Sequence, residues 1–399
     1  MNLNWPSLTI DDACEHLIDY RGKTPNKSDS GIRLVTAKVV KNGRVLEERT
    51  EYITDSEYER WMTRGIPEKG AVLLTTEAPL GEVAILRTDE KVALAQRIIL
   101  LRAKPGVLAS GFLLYALQTP LMQGRISARA SGTTVIGIKN RELRKVEIPI
   151  PAFHVQQRIA SILSTYDDLI ENNRRRMALL EDAARQVYQE WFVRLRFPGH
   201  EHTRIGDGVP EGWRGSKLSD VCIDLRETAS PNILEPGTPY IELEHIPRRS
   251  ISLTKWGSAE QVTSTKLRFY AGEILFGKIR PYFHKVGVTF VDGVASSDTI
   301  VIRPAEERLT GLVLMTVSSD PFVANTSQTM REGSKMPRAD WKQMKEYPVA
   351  VPPDGLLNTF NDTIGAITDQ LKNLSFQNQK LRTARDLLLP KLMNGEISV

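Results

Sequence analysis

The chain has 399 residues, with 53 Lys and Arg against 48 Asp and Glu for a formal charge of +5; its 41% hydrophobic and 25% charged content excludes collagen-like and wholly disordered chains. At about 100 to 200 residues per domain the expectation is two or three domains. Cys14 and Cys222 are the only cysteines, which excludes a disulfide scaffold or a CxxC zinc site, and with no apolar run near the roughly 18 residues of a membrane span and Asp11 and Asp12 ahead of any signal-type core, a cytoplasmic protein without membrane contact is expected.

Taken in chain order, the elements are written twice. Trp5, Leu8 and Cys14 open the first copy; Trp213, Leu218 and Cys222 open the second, with both the Trp and the Cys offset by 208 residues. Ile18-Asp19-Tyr20-Arg21 returns as Ile223-Asp224-Leu225-Arg226. Short β-branched runs predict strands at Arg33 to Val40, Ala71 to Thr75 and Ile98 to Leu101, with Gly and Pro punctuating them. Their counterparts are Pro239 to Leu243, Glu273 to Phe276 and Thr299 to Ile302. Gly70 to Leu74 matches Gly272 to Phe276 at an offset of 202, and Pro79 falls on Pro281 in the same register. Proline-rich exits end both stretches: Val146 to Pro151 (VEIPIP) aligns with Tyr347 to Pro352 (YPVAVP), offset 201.

A long helix is predicted after each exit. Over 152–197 the seam positions are Val155, Ile159, Ile162, Tyr166, Ile170, Asn173, Met177, Leu180, Ala184, Val187 and Trp191, in steps of four and three with one stutter. Over 354–399 they are Phe360, Ile364, Ile367, Leu371, Leu374, Asn378, Leu381, Arg385 and Leu388. One narrow apolar stripe per helix, with Asn173 and Asn378 as polar register markers, fits an antiparallel coiled coil; the alternative is two amphipathic helices each lying on its own domain. The fold class is therefore α+β: two tandem mixed α/β domains, 1–151 and 213–353, joined by two long helices, with a linker at 198–212 and an internal pseudo-two-fold repeat.

This arrangement, together with Val146 to Gln157 (VEIPIPAFHVQQ), Arg158-Ile159-Ala160 and the Ile162 to Ile170 stretch, resembles the specificity subunit of type I restriction-modification enzymes over nearly the whole chain. The second copy departs from that motif, with Leu356-Leu357-Asn358-Thr359-Phe360 in place of the Gln-Gln-Arg-Ile run. The resemblance implies two target-recognition domains, each reading one half of a split double-stranded DNA sequence, and two conserved helical regions. It also implies a chain without catalysis of its own, assembled with two modification (methyltransferase) subunits and two restriction subunits. S-adenosylmethionine, ATP and magnesium would then sit on those partners. A helix of about 38 residues spans roughly 57 Å, more than one DNA turn of about 34 Å.

Local charge supports a nucleic-acid partner better than the total does. Arg33 to Arg49, Lys139 to Lys145, Lys278 to Lys285 and Arg331 to Lys345 each carry a net +3, which leaves the rest of the chain at −7. Candidate DNA contacts in the first domain are Lys38, Lys41, Arg44, Ser131, Thr133, Thr134, Lys139, Asn140 and Arg141; in the second they are Lys278, Arg280, Tyr282, Lys335 and Arg338. Arg and Lys suit guanine edges, Asn suits adenine, and Ser and Thr suit several bases, while a solvated surface charge is the competing reading of each. Arg174-Arg175-Arg176 would face DNA, an acidic partner or simply solvent.

No independent catalytic site is visible. Gly22-Lys23-Thr24 resembles the end of a phosphate loop, but Leu17 stands where the earlier glycine belongs. Pro352-Pro353 lacks the flanking residues of the adenine-methylating motif, and His200-Glu201-His202 offers too few ligands for a metal. The rival function is a coiled-coil interaction or scaffold protein whose basic surface is incidental.

Overall fold

In the computed structural model, which describes residues 5–20, 24–47, 50–206, 208–328 and 336–399, each half of the chain begins with the same three-step piece. A short strand, Ser7–Thr9, runs into a one-turn helix, Ile10–Ala13, and then into the strand Cys14–Asp19. Its repeat is Arg214–Lys217, Leu218–Val221 and Cys222–Leu225. The first turn is capped by the Thr9 hydroxyl, which accepts from the Asp12 N–H at 3.1 Å; in the repeat the Asp220 carboxylate accepts from the Lys217 N–H at 2.8 Å. Both opening strands pair antiparallel with the exit strand of their own copy, Glu147–Pro149 and Pro348–Val351. Gly22, Lys23, Arg331 and Lys335 lie outside the described residues.

The chain divides into two compact units, Met1–Ile170 with Lys380–Val399, and Glu171–Gln379. In the first unit an antiparallel sheet runs Cys14–Asp19, Ile98–Ala103, Val72–Thr76, Leu80–Ile85. In the second the order is Cys222–Leu225, Thr299–Pro304, Ile274–Gly277, Val286–Thr289, with Ser252–Leu253 added in parallel at the edge. A second sheet in each unit contains one parallel pair, Ile32–Val35 with Val92–Leu94 and Pro239–Ile241 with Gly293–Ala295. The expected runs at Arg33 to Val40 and Pro239 to Leu243 are shorter as strands, Ile32–Val35 and Pro239–Ile241, because each chain turns out of the sheet after three or four paired residues.

The long helices are Phe153–Tyr188, continued by a π-turn Gln189–Val193, and Asp354–Met393. Every seam position named above is buried or half-buried, while Leu169, Leu179 and Leu387, off the seam, are exposed. Within the second unit Asn173 Nδ2 donates to Asn378 Oδ1 at 3.1 Å, and the Trp191 and Phe360 rings lie 5.5 Å apart, so the two segments run antiparallel. In the first unit Asp167 accepts from Arg385 at 2.5 Å and from the Tyr115 hydroxyl at 2.7 Å, which accounts for an arginine at a seam position.

The buried Asn173–Asn378 pair gives a sign-specific expectation. Asn173→Leu alone strands the Asn378 amide and is expected to cost about 1–3 kcal/mol, whereas the double leucine variant recovers most of that, because no polar group is then left unpaired. A denaturant double-mutant cycle measures the coupling; equal losses in the single and double variants would contradict it.

Cys14 and Cys222 occupy the same fold position, and both are buried. Desolvation pushes each thiol up to about 12. A raised pKa means the folded state holds the proton more tightly. The contribution is complete below the unfolded thiol value of about 8.5 and is lost as pH climbs from there towards 12. No alkylation is expected in the native protein at pH 8 and two thiols per chain in denaturant; rapid native labelling of either would overturn the assignment.

Candidate nucleic-acid interface

The most informative local geometry lies where the third strand of each main sheet turns into the fourth. In the first unit the turn after Val72–Thr76 is closed by the segment entering the one-turn helix Asn140–Leu143: Ile138 N–H donates to Thr76 O at 3.0 Å, and Glu77 bridges Gly137. The second unit repeats this, with Ala339 N–H donating to Lys278 O at 2.9 Å and Ile279 bridging Arg338. Turn and loop therefore meet at one place in each unit, beside Lys139 and Asn140 in the first and at Lys278, Arg280 and Arg338 in the second.

In the first unit Ser131 and Gly137 exchange two backbone hydrogen bonds, 2.9 and 3.1 Å, which pinch off a tip holding Thr133 and Thr134 with Val135 and Ile136 beside them. Gly132 at φ 133° makes the closure possible, since a Cβ there would sit 2.1 Å from Val135 O. All of Ser131 to Ile136 is exposed, including both apolar side chains. Lys139 and Arg141 are exposed on the adjoining turn, Arg141 beside Glu142 at 3.7 Å. Asn140 is tied inward: its amide donates to Asp19 at 3.0 Å and its oxygen accepts from Arg144 at 2.9 Å.

Lys38, Lys41 and Arg44 are held by a different support. Lys41 and Arg44 face each other across a two-residue hairpin whose turn, Asn42 at φ 52° and Gly43 at φ 81°, has the positive dihedrals that an Asn-Gly pair favours. The hairpin docks on Leu80–Ile85 through Gly43 N–H to Val83 O, 3.0 Å, and Ile85 N–H to Gly43 O, 3.2 Å. Lys41 is exposed; Arg44 is half-buried and adds to the charge repulsion that, behind desolvation and Arg385, lowers the Arg382 pKa. Lys38 is exposed, 3.9 Å from Glu51.

In the second unit the turn gathers its candidates tightly. Lys278 Nζ donates to Ser297 O at 2.9 Å, and burial followed by the Arg226 and Arg338 charges lowers its pKa against the pull of Asp224 and Asp298. Arg280 has φ 50° and donates its backbone N–H to Pro337 O at 2.9 Å. Tyr282 is exposed, its ring 5.0 Å from Phe283. Arg338 pairs with Asp298 at 3.1 Å. Sequence reasoning missed Phe283 and Arg248, whose guanidinium lies 3.9 Å from the Phe283 ring centre; an aromatic inside the basic run Lys278 to Lys285 was the available signal. Arg174 and Arg175 lie on the first long helix 3.8 and 3.3 Å from Glu171. His200 Nδ1 is 2.9 Å from Phe197 O.

Two matched α+β units, each closing a sheet turn against a loop and each sharing both long helices, define a tandem-repeat protein. A family model described as the type I restriction modification DNA specificity domain matches residues 2–182. The MjaIX specificity subunit of Methanocaldococcus jannaschii is 26% identical over 374 residues, covering 88% of this chain and 84% of that one. The EcoDI specificity subunit of Escherichia coli is 22% identical over 347 residues, covering 81% and 76%. The crystal structure of the S subunit of a type I restriction-modification system from M. genitalium superposes with a TM-score of 0.55 at 19% identity, covering 98% of this chain and 96% of that one, and shares the fold. Residues 2–182 thus match that DNA specificity domain, and over most of its length the chain is similar to type I restriction-modification specificity subunits.

Proposed function

We propose that this chain is the DNA-reading, non-catalytic subunit of a type I restriction-modification enzyme, in which each unit takes one half of a bipartite double-stranded target. The observation that carries the reading is the repeated turn-and-loop pair, Thr76–Pro79 with Gly137–Lys139 and Lys278–Pro281 with Arg338–Asp340, on equivalent sheets. Exposed Lys41, Lys139 and Arg141 suit phosphate contacts, which strengthen binding without choosing a sequence; the choice belongs to the turns and loops.

The assembly we propose adds two methyltransferase subunits and, for cleavage, two restriction subunits, with S-adenosylmethionine, ATP and magnesium held by those partners. A cytoplasmic setting goes with it; no described helix is long and apolar enough to cross a membrane. The domain limits 1–151 and 213–353 serve as the exchange boundaries of the test. Modified positions are mapped in a genome carrying this chain and its modification partner, and then in one where the two segments are exchanged. A split target whose halves exchange places is the expected result. Modification without sequence preference, or a target read by one unit alone, would refute the reading.

A further inference from the structure

The turn at Lys278 to His284 holds a feature that its counterpart in the first unit lacks. Two guanidinium groups lie against the Phe283 ring, Arg248 at 3.9 Å and Arg280 at 5.8 Å from its centre. Among the described residues neither has a carboxylate within 4 Å, although the neighbouring cations are paired, Arg226 with Asp224 at 2.8 Å and Arg338 with Asp298 at 3.1 Å. Arg280 is half-buried and its backbone is left-handed at φ 50°, a conformation costly for a residue with a Cβ unless its surroundings hold it. Here they do: the Arg280 N–H is bonded to Pro337 O at 2.9 Å, and Pro281 follows it. The side chain thus leaves a fixed backbone, braced by an aromatic face, with its five donors unspent on any acid among the described residues.

We propose that Arg280, braced on Phe283, reads a guanine in the half-site taken by the second unit, and that the first unit reads its half-site without an arginine from the matching turn. This rests on the DNA-reading function argued above. A phosphate contact needs only a nearby charge, which exposed Arg248 supplies; a held, planar fork suits the paired O6 and N7 acceptors of guanine. The matching residue of the first unit is Ala78, also left-handed at φ 46° and also followed by proline. Its neighbours Thr76, Glu77 and Gly137 replace Lys278, Ile279 and Arg338, and Glu77 is occupied by Arg97 at 3.0 Å. The aligned, left-handed position therefore carries a guanidinium in one unit and a methyl group in the other, on turns that otherwise differ: the first is short with a cis Ala78–Pro79 bond, the second longer with a 3-10 turn at Pro281–Phe283.

The test uses the full chain assembled with its modification partner, after the exchange experiment has assigned each half-site. Arg280→Ala is expected to relax one G·C position of the second unit's half-site, with about a 10- to 100-fold loss of discrimination there and none in the other half-site. Arg280→Gln is expected to move preference at that position from guanine towards adenine, which keeps the proposal testable if the alanine variant folds poorly. Arg248→Ala is expected to weaken all sites alike and to lower the salt dependence by about one phosphate contact. The proposal is overturned if the second unit's half-site contains no guanine, if Arg280→Ala weakens every site uniformly, or if the relaxed position lies in the first unit's half-site. Wild-type protein that modifies DNA without sequence preference would instead remove the underlying function, a result distinguishable from these.

Discussion

Phe360→Ala is expected to destabilise the second unit by about 3–5 kcal/mol, the range for deleting a fully buried aromatic ring. Phe360 has no exposed surface and lies at the centre of an aromatic group: Phe192 edge-on at 4.8 Å, Trp191 at 5.5 Å and Tyr188 at 6.5 Å. Phe192 and Phe197 continue the group to Trp213, at 5.3 and 4.9 Å. Removing one ring therefore opens a cavity where the end of the first long helix, the start of the second and the entry to the repeated domain are held together. The surrounding rings cannot collapse into the gap without breaking their own edge contacts, and this places the loss in the upper part of the range. Denaturant unfolding of the full chain, with hydrogen exchange resolved by peptide, is the measurement. Faster exchange across residues 213–353 with little change across 1–151 is expected; a loss below about 1 kcal/mol would show that the group is not structural.

How far the architecture could be read in advance depended on whether a feature was local. The seam residues Val155 to Trp191 and Phe360 to Leu388 announce themselves through a repeating step of three and four, and every one is buried or half-buried. Asn42-Gly43 between Val40 and Val45 is an equally local hairpin signal. The departure at Leu356 to Phe360 needed the structure to explain it. In the first unit buried Gln156 accepts from Ala109 N–H at 2.9 Å and donates to Val107 O and Pro151 O at 3.0 and 2.9 Å, fastening a short helix to the long one. In the second unit apolar Leu357 occupies the aligned position, and Asn361 takes over the fastening by accepting from Gly311 N–H at 2.9 Å. Asn140 shows the opposite limit. Its residue type suggested adenine recognition, yet its amide is spent on Asp19, 121 residues away in sequence, a partnership that only tertiary contact creates.

Gly111 and Gly311, 200 residues apart, perform one packing task in both units, and leucine at either is expected to be the second most damaging substitution considered. A Cβ on Gly111 would lie 2.9 Å from the Ala160 Cβ; one on Gly311 would lie 3.0 Å from the Ile364 Cβ and 3.3 Å from the Asn361 backbone. Each glycine lets a short helix, Ser110–Gln118 or Thr310–Val317, seat closely on a long one. Alanine gains about 1 kcal/mol in helix propensity, but at Gly111 its Cβ would meet the Ala160 Cβ, which cannot move without the helix that carries it, so Gly111→Ala should be mildly destabilising. Leucine gains nearly as much helix propensity, but its far larger side chain cannot be seated between the helices. Gly111→Leu is expected to cost about 1–3 kcal/mol from overpacking, and Gly311→Leu about 1 kcal/mol more, because pushing the helices apart also breaks the 2.9 Å bond from the Gly311 N–H to Asn361. Thermal unfolding of the four single variants checks the order. Ala160→Gly combined with Gly111→Ala should stabilise relative to Ala160→Gly alone, since the obstructing methyl is then gone; equal tolerance of alanine and leucine at Gly311 would mean that the short helix does not sit where the structure places it.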